Sequence, residues 1–225
     1  MLALLALIPL GLRAQRCNPT ATYYTAKGDT LTSLEGAQSA PIRGIFVANP
    51  DTLHSDTRYE WKITKTEGGT TETVLHRFDE DLEYTFMESG TFSIQLYATF
   101  SLNGQTYIFP GEGEENPFKI EITTSVLEMP NAFSPNGDGT NDTYRALSTH
   151  QSIVEFHATI FNRWGQKLYS WDDVNGEWDG TYNGRRVKDG VYFVRVRAKG
   201  ADGHQFDIRS DVNVLTGYTR EESSN

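Results

Sequence analysis

MPNAFSPNGDGTNDTY (residues 129–144) and IFNRWGQKLYSWDDVNGEWDGTYNGRRVKDGVYF (residues 160–193) decide how this chain of 225 residues is read. The first stretch sets Asn136-Gly137 directly before Asp138-Gly139, with Asn141 and Asp142 close behind. Glycine reaches positive φ without steric cost, and Asn and Asp side chains bond backbone groups two residues on, so a tight compound loop is expected. Just ahead of the second stretch, residues 155–161 set Phe156, Ala158 and Ile160 against His157, Thr159 and Phe161, the period of a strand. Asn162-Arg163-Trp164-Gly165 reads as a turn and residues 166–171 as the returning strand. Asn183-Gly184 reads as the turn of a short hairpin between Thr181-Tyr182 and residues 185–187. Residues 191–198 form the next strand, with Val191, Tyr192, Phe193 and Val196 assigned to a core. Asp202-Gly203 then turns into residues 205–208, and residues 212–215 are read as a separate last strand.

Working toward the N-terminus, the same alternation continues. Ile42–Val47 and residues 59–63, 71–76, 83–86 and 91–100 read as strands, followed by Gln105–Phe109 and Phe118–Ile122. Asn49-Pro50-Asp51, Glu67-Gly68-Gly69 and Asn103-Gly104 separate several of them. About seven strands over roughly a hundred residues fit a two-sheet sandwich, with Trp61 between the sheets. No long run shows an apolar period of 3.6, so helix is expected to be scarce. The fold class is therefore all-β: two antiparallel β-sandwich domains in tandem after an N-terminal signal segment. The expected divisions are 1–14, 18–124, 130–216 and a polar tail at 217–225, with a brief linker around Thr123-Thr124-Ser125.

The opening MLALLALIPLGLRA is apolar apart from Arg13 and too short to cross a bilayer, which takes about 20 residues. It fits the core of an export signal ending at Ala14, although no Lys or Arg follows Met1; a buried N-terminal helix is the alternative. Cys17 is the sole cysteine, which rules out an intrachain disulfide. Lipidation of Cys17 is disfavoured by Arg16 directly before it, leaving an ordinary thiol as the plainer reading.

Residues 15–125 hold 8 Lys or Arg against 16 Asp or Glu, whereas residues 126–220 hold 11 against 12. An acidic first part and no positive stripe argue against nucleic acid as a partner. His54 and His76 lack metal-ligand spacing. Asp79, Glu80, Asp81 and Glu83 form a run at a turn, and acid–base work needs carboxyls held at a fixed separation in different environments. No nucleophile–base set emerges, so the chain is read as no enzyme.

Two constellations carry alternatives. Asn136, Asp138 and Asp142 can either satisfy their own loop or converge on a Ca²⁺ ion, although the bidentate Glu that closes a full calcium loop is missing. Beyond calcium, no cofactor is expected. Arg163, Trp164, Trp178, Arg185 and Arg186 form either a recognition face of aromatic and guanidinium groups or tryptophans capping a small core beneath arginines.

The motifs Pro130-Asn131-Ala132-Phe133, Ser134-Pro135-Asn136-Gly137-Asp138-Gly139, Asn141-Asp142, Ile160-Phe161-Asn162-Arg163-Trp164-Gly165, Trp178-Asp179-Gly180 and Gly190-Val191-Tyr192-Phe193 run in order through residues 130–215. In this the region resembles the gliding-motility-associated C-terminal domain, the type B sorting domain of type IX secretion. The resemblance implies an address module that takes an exported protein across the outer membrane to the cell surface or medium. Its partner would be the type IX secretion machinery at the outer membrane. Two departures from the family pattern are the polar tail after Gly217 and Ser210-Asp211 where a glycine is common. Tyr59-Glu60-Trp61, Tyr84-Thr85-Phe86 and Gly90-Thr91-Phe92-Ser93-Ile94-Gln95-Leu96 loosely resemble the PKD and immunoglobulin-like families, without the Asp- and Gly-rich turn usual after the tryptophan. A surface glycan or protein ligand at the tips of this first sandwich, or a permanently retained structural or adhesive envelope role, stands as the alternative function.

Overall fold

The computed structural model describes residues 17–50, 57–102, 105–114 and 117–216, without the side chain of residue 102. The segment 1–14, the tail 217–225, His54 and Asn103-Gly104 lie outside the described residues.

Every regular element among them is a strand, as the period-two reading requires. In chain order these are β1 Thr20–Thr25, β2 Thr30–Leu31, β3 Ile42–Val47, β4 Arg58–Glu67, β5 Thr70–Arg77, β6 Asp81–Phe86, β7 Gly90–Leu102 and β8 Gln105–Phe109. They continue as β9 Phe118–Ile122, β10 Ala132–Phe133, β11 Ile153–Phe161, β12 Lys167–Trp171, β13 Thr181–Tyr182, β14 Arg185–Arg186, β15 Gly190–Gly200 and β16 Gln205–Val214. One sheet runs β2-β1-β3-β6; a second runs β5-β4-β7-β8, with β9 also on β7. A third runs β10-β16-β15-β11-β12, and β13-β14 is a separate ribbon. The chain is thus all-β with several sheets.

Two compact units emerge, interleaved along the sequence. The first takes Ile45–Glu83 and Phe92–Lys119 with the described residues up to Ala21; the second takes Thr22–Gly44, Tyr84–Thr91 and the described residues from Ile120 onward. In the first unit, Trp61 is fully buried and its ring lies 6.0 Å from that of Phe46. Its indole N–H donates to the Glu80 carbonyl at 3.0 Å, so the one polar atom of a large apolar side chain is satisfied. The acidic run beside it ends in a structural contact: Asp81 accepts from the Ala48 amide at 3.4 Å.

In the second unit the core lies against one face of the third sheet. Ala158 and Ile160 on β11, Val194 and Val196 on β15, and Val212 and Val214 on β16 point inward, covered by Leu127, Tyr144, Trp171 and Trp178. Burial pushes the Tyr144 phenol far above its ordinary value, and the Ser210 hydroxyl offsets this only in part.

The observed strands depart from the sequence reading in four respects. First, the sheet is mixed, because β10 pairs parallel with β16 through Ala132↔Asn213 and Phe133↔Val214. Second, residues 205–214 form one strand: Arg195↔Arg209 and Val194↔Ser210 continue the ladder across the predicted break. The reason is visible in the side chains, since Asp207 bonds Arg195 at 3.1 Å and Arg209 at 2.9 Å, making this polar stretch a good outer face. Third, the core phase of β15 is Val194, Val196 and Ala198, which leaves Val191 and Phe193 48% and 42% exposed on the opposite face. Fourth, the short hairpin of residues 181–187 forms, among the described residues, a two-stranded ribbon separate from the five-stranded sheet.

The hydrogen bonds from Arg195 and Arg209, reinforced by their charge, hold the Asp207 carboxyl down at about 2. A folded pKa below the unfolded one stabilises above the unfolded value, about 4, and the benefit disappears as pH falls toward 2. Thermal melts across that window should therefore show a steeper acid loss for wild type than for Asp207→Asn. The difference stays small because the pair is exposed.

Candidate recognition site

The loop 134–142 is built from its own side chains. Asp142 accepts from the Gly137 amide at 2.6 Å with one oxygen and from the Gly139 amide at 2.7 Å with the other. Asn136 accepts from the Asp138 amide at 3.0 Å and donates from its Nδ2 to Asp138 at 2.9 Å. The second Asp138 oxygen accepts from the Thr140 amide at 2.8 Å. Hydrogen bonds from Asn136 and Thr140 hold the Asp138 carboxyl below its ordinary value. All four carboxylate oxygens therefore face N–H donors. Of the two readings of Asn136, Asp138 and Asp142, these hydrogen bonds are those of a loop that satisfies its own side chains. Among the described residues no group of three or more His, Cys, Asp or Glu is arranged to hold a metal ion.

The two tryptophans of the candidate recognition set part company. Trp178 is fully buried: its ring packs 5.3 Å from Phe133 and 5.9 Å from Tyr192, and its N–H donates to the Thr181 carbonyl at 2.9 Å. Its backbone exchanges hydrogen bonds with Tyr144, Tyr144 N to Trp178 O at 2.9 Å and the reverse at 3.0 Å. Trp178 therefore belongs to the core and not to a recognition face, a correction to its place in that set. Packing the indole against Phe133 and Tyr192 outweighs any contact it could make outside.

Trp164 is the opposite case, 79% exposed at the tip of the β11–β12 turn. Asn162 builds that turn: its Oδ1 accepts from Trp164 N at 2.9 Å and Gln166 N at 3.0 Å, and its Nδ2 donates to Gln166 Oε1 at 3.0 Å. Gly165 takes the required left-handed conformation at φ 76°. The Arg163 guanidinium lies 4.8 Å from the Trp164 ring centroid, a cation–π stack that limits the freedom of both side chains. A large apolar ring held out in water on a pre-formed turn contributes nothing to the core.

The surface beside it is apolar and cationic. Phe161, just before the turn, is the cross-strand partner of exposed Phe193. On another side, Gln166 Nε2 donates to Tyr182 Oη at 3.0 Å, tying the turn to the β13-β14 ribbon that carries exposed Arg185 and Arg186. Asn183 at φ 51° and Gly184 at φ 72° close that ribbon with two successive left-handed residues. Phe193, read as a core residue, is exposed, whereas Phe161 stands on the outward face the alternation assigned to it. The missing signal for Phe193 is the phase of β15, which needs the ladder to β16 to be known.

Residues 127–208 match the sequence profile of the CHU_C Type IX secretion signal domain. A CHU_C domain is present here. It marks the chain for export to the cell surface via the outer membrane and implies interaction with the Type IX translocon. No curated protein matches the chain. Similar solved structures include a tetra-tandem repeat in the extending region of a large adhesion protein, at 13% identity, 90% of this chain and 68% of that chain, TM-score 0.31. Another is dimeric latent PorU from Porphyromonas gingivalis, at 12% identity, 90% of this chain and 20% of that chain, TM-score 0.27. At such scores neither likeness bears on fold or function. The CHU_C domain contains the loop 134–142, the Trp164 turn and the β13-β14 ribbon, so the exposed features described above lie within the matched region.

Proposed function

We propose that the chain is an exported, non-enzymatic surface protein in which residues 130–216 are read by the Type IX machinery through the Arg163–Trp164 turn and the adjoining arginines. Residues 18–124 form an immunoglobulin- or PKD-like sandwich delivered with them and held at the cell surface. The observation that carries this reading is Trp164, 79% exposed on a turn fixed by Asn162 within the CHU_C domain. Solvent exposure of a tryptophan costs the free domain apolar surface that a partner can cover.

The test is Trp164→Ala in the full chain, followed by surface protease accessibility and by melting of the purified protein. Surface delivery falls, while stability stays within about 0.5 kcal/mol of wild type because the ring packs on no core residue. Unchanged delivery would remove Trp164 from the recognition face.

A further inference from the structure

Beside the Trp164 turn lies a cleft of about 610 Å³ whose charged lining is Arg185, Arg186 and Lys188. Among the described residues none of these, nor Arg163, forms an ion pair, although Arg145, Arg195, Lys199 and Arg209 in the same domain each face a carboxylate. The acids nearest in sequence are engaged elsewhere: Asp189 accepts from Thr216, and Asp179 accepts from the Thr181 amide and hydroxyl. In a chain of formal net charge −10, such uncompensated cations mark a place where carboxylates from outside are attracted. Burial raises the pKa of the Tyr192 phenol in the cleft wall; the nearby Asp189 carboxylate adds to that rise and Arg163 acts in the opposite sense.

The walls are not uniformly polar. Leu168 and Val187 line the same cleft, with Tyr182 and Tyr192 beside them. Leu168 belongs to β12, the terminal strand of the third sheet, which among the described residues pairs with β11 on one side only. The strand is five residues long, about 17 Å at roughly 3.4 Å per residue, and it meets the cleft at Leu168. A ligand that joins backbone hydrogen bonding to alternating side chains can use such an edge, with apolar groups toward Leu168 and Val187 and carboxylates toward the arginines. Inorganic phosphate uses neither the edge nor the apolar wall. A carboxylated glycan can meet the cations but cannot continue the ladder.

We propose that this cleft binds an acidic peptide segment of a partner protein, in extended form, along the β12 edge. The idea deepens the recognition reading above and rests on it for the partner being a protein. Arg185 and Arg186 supply bidentate donors for carboxylates, and the hydrogen-bonded Gln166–Tyr182 pair fixes the ribbon that holds them relative to the turn.

The experiment is calorimetric titration of the full chain with a hexapeptide alternating Glu and Val, with the same peptide carrying Gln for Glu, with oligogalacturonate and with inorganic phosphate. The Glu–Val peptide binds; its Gln counterpart, oligogalacturonate and phosphate bind at least about tenfold more weakly, and raising salt from about 0.05 to 0.5 M weakens the Glu–Val complex. Arg185→Gln with Arg186→Gln reduces that affinity about tenfold, whereas Arg209→Gln, on the outer sheet face, leaves it unchanged. Circular dichroism confirms that each variant is folded. Equal binding of the Gln peptide, tighter binding of oligogalacturonate or phosphate, or indifference to the double substitution overturns the proposal. Surface delivery that still depends on Trp164 in that case leaves the recognition reading standing and removes only the acidic peptide.

Discussion

Trp178→Ala unfolds the C-terminal sheet region at temperatures where wild type is fully native, while Trp164→Ala melts with wild type. Removing a fully buried indole leaves a cavity and exposes the apolar faces of Phe133 and Tyr192, at a cost of about 3–5 kcal/mol. The Thr181 carbonyl also loses its 2.9 Å partner, which adds to the damage when water cannot enter. For a chain of this size the melting temperature drops on the order of 10 °C. Scanning calorimetry or near-UV circular dichroism of the two variants side by side reads the contrast. Similar melting losses for both would mean that Trp164 also belongs to a core.

Asp142→Ala is the second large effect, and it arises in a loop. One half-buried carboxylate accepts from both the Gly137 and the Gly139 amides, at 2.6 and 2.7 Å, and both glycines hold positive φ. Deleting it frees two backbone donors in a conformation that has no ladder to fall back on. The expected loss is about 1–2 kcal/mol, less than two charge-assisted bonds in a dry site because water can replace part of it. Hydrogen exchange should show the amides of residues 137 and 139 losing protection ahead of the strands. If the loop only satisfies its own side chains, wild-type melting should be the same in Ca²⁺ and in chelator; a calcium-dependent rise would support the metal reading of Asn136, Asp138 and Asp142.

What the sequence made legible follows from which forces are local. Ile42–Val47, Gln105–Phe109 and Phe118–Ile122 were readable to the residue, because alternation and flanking turn residues agree there. The same holds for the loop 134–142, whose Asn and Asp side chains act on amides only two to five residues away. β10 was invisible because two residues carry no period, and its parallel partner lies some eighty residues further on. β1 was missed since its inward residues, Ala21 and Tyr23, stand in a run of Thr, Ala and Tyr with little apolar contrast. On β15, Val191, Tyr192, Phe193 and Val194 are all apolar or aromatic, so local pattern could not fix which face turns inward. The two tryptophans look alike in sequence, each beside a turn. They differ in a long-range contact, the backbone pairing of Trp178 with Tyr144, and no local signal encodes it.

Recognition by an export apparatus requires a folded surface, and the residues suited to it occupy one neighbourhood of the CHU_C domain: the Asn162 turn, the Arg163–Trp164 stack and the β13-β14 ribbon. The same economy explains why Trp178 has no part in contact. A core indole supports the scaffold that carries the turn, and the proposed contact falls to the surface indole on that turn.

Cell fractionation with surface protease digestion, comparing the full chain with one lacking residues 127–225, tests the central claim most directly. The full chain should be cleaved from outside intact cells, and the shortened chain should be protected and recovered in the periplasm. Equal surface digestion of both would contradict the account.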